Sequence, residues 1–280
     1  MTAEKTGTTT GGEAAEAMYV RTAQEDARSA FRSTVRAQGA WNEHEQHMGP
    51  ASGLLAHEID RFTRDAQEQG LRIARISYDI LGLIPGGDVT VELAVERPGR
   101  TIQLVRAEMI GADGRPCIRA RAWLLVTSDT SEAAGLEDEP MPALEDCREM
   151  DGSAVWPGGY IAQLRLRQHP GARPGRGQTW VSSSFPLLEG EEAPFGEFVR
   201  DLDAANGMVT RTRPMGGGYA FPNVDLQVHL LRAPEGEWKG LDTRVSFGAD
   251  GVGLTSSVVH DATGVVGHLE QTLTVRRVGA

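Results

Sequence analysis

A chain of 280 residues, with 40% hydrophobic and 24% charged side chains, can bury a large core and is long enough for one large domain or two ordinary ones. Its formal net charge of −11 excludes broad binding to nucleic acid or to an anionic membrane, because both need a positive surface. No apolar run approaches the ~18 residues of a membrane span. Cys117 and Cys147 are too few for a disulfide framework or a four-thiolate zinc site, so a reduced cytoplasm is the expected compartment.

Residues 1–17, MTAEKTGTTTGGEAAEA, show no hydrophobic period and no apolar core of the kind a secretory signal needs. They are expected to form a disordered tail. The stretch WNEHEQHMGP at 41–50 then places two histidines beside two carboxylates. A zinc-protease helix needs His-Glu-x-x-His, with both imidazoles on one face. Here His44 and His47 are three positions apart and Gly49-Pro50 follows, so no metal is expected. The better reading is a helix start, with Pro50 in the first turn and the preceding polar residues capping it.

That helix spans GPASGLLAHEIDRFTRDAQEQG, where Leu54, Leu55, Ile59 and Phe62 recur at helical spacing. Alternating strands follow over 77–126. The segment 128–152 carries nine acids against one Arg, with two prolines, and reads as a solvated linker. The second half repeats the grammar. APFGEFVRDLDAANG puts Phe195, Phe198, Val199 and Leu202 on one helical stripe, and strands run over 226–275. At an offset of about 149, Pro85 meets Pro234 and Gly99 meets Gly248; with one inserted residue Gly114 meets Gly264.

The expected organisation is a tail (1–17), a first repeat (18–127), the acidic linker (128–152) and a second repeat (153–280). The fold class is α+β, each helix wrapped by a curved antiparallel sheet. No Gly-x-Ser-x-Gly elbow occurs, and the glycine-rich MGGGYAF at 215–221 lacks the Gly-Lys-Ser/Thr end of a phosphate loop. That stretch is expected to be a turn between helix and strand.

WNEHEQHMGPASGLLAHEID, NVDLQVHLLRAPEGEWKGLDT and GHLEQTLTVR together resemble double-hotdog acyl-CoA thioesterases related to the acyl-CoA thioesterase II family. The resemblance covers residues 31–277. It implies two hotdogs joined side by side into one sheet, with both helices on the same face. It also implies hydrolysis of an acyl thioester carried by coenzyme A or an acyl-carrier protein, with no metal and no cofactor.

Thioester hydrolysis without a covalent nucleophile needs a positioned water, a carboxylate to take its proton and donors for the oxyanion. The family's Asp, Thr/Ser and Gln trio falls on Asp203, Asn223 and Gln271, with an amide replacing the hydroxyl. Asp203 is the expected base, Asp201 a close competitor, and Asn223 or Gln271 the holder of the water. A backbone N–H near Gly207 is the expected oxyanion donor, and His47 could line the acyl pocket. Arg97, Arg100, Arg232, Lys239 and Arg276 are candidate phosphate contacts, Arg232 and Arg100 foremost.

At the repeat offset Asn223 falls opposite Ala74, Gln271 opposite Arg121, and Asp203 opposite Gly53 or Leu54, so the site is assigned to the second half. An open sheet edge predicts a homodimer or higher homo-oligomer. Two alternatives stay open. One is a dehydratase or cyclase on a carrier-bound chain, marked by His229 or His260 beside Asp203. The other is a non-catalytic acyl-binding protein, marked by an Asp203 that faces solvent.

Overall fold

The computed structural model describes residues 16–214 and 218–278. The expected tail lies outside these residues except for Glu16 and Ala17, and Ala17 is already buried, its carbonyl accepting Thr34 Oγ1 at 2.6 Å. Residues 215–217 of MGGGYAF also lie outside them, and its Tyr219 and Ala220 form a short strand.

The first half runs β1 (Tyr19–Gln24), β2 (Arg28–Ser33), α1 (Met48–Phe62), α2 (Arg64–Glu68), β3 (Leu71–Ile80), β4 (Asp88–Arg97), β5 (Ile102–Gly111) and β6 (Pro116–Val126). The second half runs β7 (Arg148–Met150), β8 (Leu164–Gln168), β9 (Arg176–Ser183), α3 (Pro194–Leu202), α4 (Ala205–Met208), β10 (Tyr219–Ala220), β11 (Asp225–Leu230), β12 (Lys239–Phe247), β13 (Val252–Asp261), β14 (Gly264–Thr274) and β15 (Arg276–Arg277).

Thirteen of these strands form one antiparallel sheet centred on the β3–β11 pair. Outward from that pair the order is β6, β5, β4, β2 on one side and β14, β13, β12, β9 on the other. The chain is therefore a double hotdog, and its two halves are related by a pseudo-twofold axis. Ser77 pairs with Gln227, its own counterpart 150 positions later, so the axis passes between them.

Period-two burial makes the inner face. On β5, Val105, Ala107 and Met109 are buried; on β6, Ile118, Ala120, Ala122 and Leu124 are. Both helices lie over this face and cross each other at glycines. A Cβ added to Gly53 would lie 2.7 Å from the Gly196 carbonyl oxygen, and one on Gly196 would lie 2.7 Å from that of Gly53. Only glycine lets the backbones approach this closely. Leu54, Leu55 and Ile59 fill the space beneath, and each fully buried side chain contributes about 1.5–3 kcal/mol.

Each expected helix is broken once. Thr63 separates α1 from α2, where its Oγ1 donates to the Ile59 carbonyl at 2.8 Å in competition with the backbone. The second stripe stops at Leu202, leaving Asp203 as the C-cap of α3 before the short α4. The acidic segment is more tied down than a solvated linker. Trp180 Nε1 donates to the Pro142 carbonyl, His268 Nε2 lies 3.1 Å from Asp138, and residues 148–150 join the sheet edge as β7.

Candidate active site

The crossing helices run antiparallel, so the N-terminus of α1 meets the C-terminus of α3. His47 is the N-cap of α1, and its Nδ1 accepts the Gly49 N–H at 3.0 Å. The same Nδ1 lies 3.1 Å from Asp203 Oδ2. A ring nitrogen carries either a lone pair or a proton, so the two contacts alternate. With Nδ1 bare, His47 caps the helix; with Nδ1 protonated, it donates to Asp203 and frees the Gly49 amide. The imidazole rests against the Tyr160 ring, 4.5 Å between centroids, and Tyr160 is anchored by donating to the Arg200 carbonyl.

Asp203 is only 4% exposed. Its Oδ1 accepts Gln271 Nε2 at 2.7 Å and Asn223 Nδ2 at 3.2 Å. Gln271 reaches it from the inner face of β14, and Asn223 from the loop before β11, where it bridges to Leu273. Gln271 Oε1 is buried without a partner among the described residues. An orphaned buried acceptor is costly, and this one belongs to the amide that holds Asp203.

Two concavities meet at this carboxylate, one of about 130 Å³ and one of about 40 Å³. Trp41, His47, Asp203 and Asn223 line both. The larger is walled by Ile80, Leu83 and Ile84, the smaller by Trp156, Asn206 and Met208. Trp41, Trp156 and Phe221 stand edge to face, with centroids 5.2 to 6.3 Å apart, and Trp41 and Trp156 line the smaller chamber.

The structure brings together His47, Asp203, Asn223 and Gln271, and it redirects other candidates. Gly207 lines the smaller chamber, but its N–H donates to the Ala204 carbonyl at 2.9 Å and is not free for an oxyanion. Its missing Cβ instead makes room for Trp156, whose Nε1 donates to the Gly207 carbonyl. Arg232 spends all five N–H donors within its own loop region: on both Asp261 oxygens and on the carbonyls of Ala233, Gly264 and Val265. It is a loop clamp, and no donor is left for a phosphate. Arg100 lies in the β4–β5 turn, at the end of the sheet where Ile102 pairs with Leu125. The site is at the opposite end, eight residues along β3 and roughly 26 Å away by strand rise.

Asp201 does not compete with Asp203. It is fully buried, bound by Arg200 at 2.7 Å, Lys239 at 3.0 Å and Ser183 at 2.7 Å. Burial pushes its carboxyl up, but Arg200, Lys239 and the Ser183 hydroxyl outweigh that and hold it below the usual aspartate range. Lys239 is thereby removed as a phosphate contact. The repeat register is also shifted by one from the sequence alignment. Because Ser77 pairs with Arg121 and Gln227 with Glu270, the counterpart of Gln271 is Ala122, and that of Asn223 is Ile73.

His260 Nε2 lies against the Glu139 carbonyl and His229 pairs across with His268, so neither meets Asp203. The histidine that does is His47. Sequence reasoning missed Trp156 and Asn206 altogether. Trp41 carried a signal, an aromatic six positions from His47, but Trp156 reaches the wall only through the fold. Among the described residues no three His, Cys, Asp or Glu side chains gather as metal ligands, and no helix is long and apolar enough to cross a membrane.

A model of the acyl-CoA thioesterase N-terminal domain matches residues 37–125, and one of the acyl-CoA thioesterase C-terminal domain matches residues 144–275. Among solved structures, a candidate thioesterase from Novosphingobium aromaticivorans superposes with a TM-score of 0.70 at 17% identity, covering 92% of this chain and 98% of its own. A hot dog fold protein from Alicyclobacillus acidocaldarius gives 0.70 at 12%, covering 91% and 96%. Acyl-CoA thioesterase II of Mycobacterium marinum gives 0.60 at 14%, covering 92% and 96%. No curated protein matches.

Proposed function

The chain belongs to the acyl-CoA thioesterase family and is a thioester hydrolase, and from that premise we propose that it hydrolyses acyl-CoA with a water activated by Asp203. The observation that carries this is the buried Asp203 carboxylate, held by two amide donors on one oxygen at the junction of two chambers. Two chambers suit a thioester, with the acyl chain in one and the pantetheine arm in the other.

In this reading Asp203 takes a proton from water as the water oxygen bonds to the carbonyl carbon. Gln271 Oε1 accepts a hydrogen bond from the water's second O–H, whose proton stays on that oxygen, and so aims the lone pair. The carbon–sulfur bond then breaks, and the departing sulfur takes the proton back from Asp203, giving a thiol and a carboxylic acid. The oxyanion faces the N-terminus of α1, whose first amides have no acceptor within the helix. When His47 Nδ1–H points at Asp203, the Gly49 amide becomes available there. This donor replaces the one expected near Gly207.

Free-thiol release from acyl-CoAs of increasing length, by the wild type and by Asp203→Asn, tests the assignment. A well-folded variant that keeps full turnover rejects the site while leaving the reaction. No release from any acyl-CoA, but release from acyl-carrier protein, moves the substrate to the carrier-bound thioester.

The His47–Asp203 contact favours a second reading, proton transfer on a carbon-bound hydroxyl, as in a dehydratase. Incubation with a 3-hydroxyacyl-CoA separates the two. Growth of enoyl-thioester absorbance supports dehydration, whereas free thiol supports hydrolysis. Self-association and cytoplasmic residence belong to the same proposal; the three-residue β7 leaves one end of the sheet open to a second copy.

A further inference from the structure

The pseudo-twofold axis between Ser77 and Gln227 maps the chamber of about 130 Å³ onto a second cavity, of about 330 Å³, at the opposite end of the helix layer. At a spacing of 150, Ile80, Leu83 and Ile84 of the first recur as Leu230, Ala233 and Pro234 of the second. On the helix side, Gly53 meets Gly196 and Gly49 meets Arg200, and this crossing register makes Pro194 the counterpart of His47.

The space is conserved between the halves, but the chemistry is erased. Asn223 becomes Ile73 and Gln271 becomes Ala122; by the crossing register Asp203 becomes Ala56. Phe195 and Phe198 complete an apolar wall. The charged groups at the rim, Asp60 and Arg72, are of opposite sign; Asp60 accepts Gln67 Nε2, and Arg72 donates one N–H to the Leu231 carbonyl while its buried Nε has no partner among the described residues. Such a lining suits an uncharged chain, and the volume lies within the range of small-ligand sites.

We propose that this cavity binds the acyl chain of a second acyl thioester and does not hydrolyse it. The inference rests on the thioester reading of the Asp203 site, because the occupant is assigned by the twofold correspondence. One chain then holds two acyl ligands, one turned over and one retained.

Calorimetric titration with S-alkyl coenzyme A thioethers, butyl to hexadecyl, tests it, since a thioether binds without being cleaved. The wild type is expected to bind two equivalents. Ala233→Trp, at an exposed rim position, is expected to bind one and still hydrolyse acyl-CoA. Leu83→Trp, the matching exposed rim position of the other chamber, is expected to bind one and lose most of its turnover. A single wild-type equivalent that survives Ala233→Trp and disappears in Leu83→Trp overturns the second site alone. Absence of both binding and hydrolysis overturns the acyl-thioester reading together with it. An unchanged melting temperature of each variant establishes that a lost equivalent reports the cavity.

Discussion

Gln271 Nε2 donates to Asp203 Oδ1 across 2.7 Å, linking the long strand β14 to the C-cap of α3. Gln271 is fully buried, and Gln271→Ala removes the donor that holds the Asp203 carboxylate. A hydrogen bond to a charged group is worth about 1.5–3 kcal/mol, which corresponds to a fall of roughly 10- to 100-fold in kcat. Steady-state hydrolysis measures it. Retained kcat means that the amide only packs.

Asp203 and Asp201 stand two positions apart and are expected to fail differently. Asp203→Asn keeps the shape and removes the base, so kcat is expected to drop by ~10²–10⁴ with little change in melting temperature. Asp201→Asn leaves Arg200 and Lys239 buried beside a neutral partner, a change of about 3–5 kcal/mol in stability. Its kcat per folded molecule is expected to persist. Thermal melts beside active-site-normalised rates separate the two.

His47 carries two roles that substitution can divide. His47→Ala loses the cap of α1 and about 1 kcal/mol of stability, whereas Asn restores a capping oxygen. If the imidazole also orients Asp203, both variants lose turnover while only Ala loses stability. Full activity in His47→Asn would assign His47 to capping alone.

The Arg232 clamp predicts a pH dependence of stability. Burial alone pushes the Asp261 carboxyl up, but the bonds from Arg232, Thr263 and Glu235 bring it from 3.8 down to about 2. A depressed carboxylate contributes in full above its unfolded value and loses that contribution as pH falls through its folded one. The clamp is therefore worth about 2 kcal/mol above pH 4 and fades toward pH 2. Urea unfolding of wild type and Asp261→Asn should show a gap that closes over that window. A gap independent of pH would remove the titration from the explanation.

Sequence alone determined much of this protein. The alternating strands, the apolar stripes on both helices and the duplication follow from short-range periodicity, which a chain carries wherever it folds. The resemblance brought Asp203, Asn223 and Gln271 together on paper, and Pro50 and the polar residues before it marked the start of α1. What periodicity could not supply was which donors remain free. Gly207 reads as an available amide until a helical turn consumes it, and Arg232 reads as a phosphate ligand until Asp261 and three carbonyls take its donors.

Only the tertiary structure decided the rest. The close crossing at Gly53 and Gly196 sets the N-terminus of α1 against the C-terminus of α3, and so places His47 3.1 Å from Asp203 although 155 residues separate them. The Ser77–Gln227 pairing fixes the axis, and with it the one-residue register that puts Ile73 and Ala122 where the second half has Asn223 and Gln271. Hydrogen-bond competition and packing across distant segments are many-body outcomes, and no local pattern of residues encodes which partner wins.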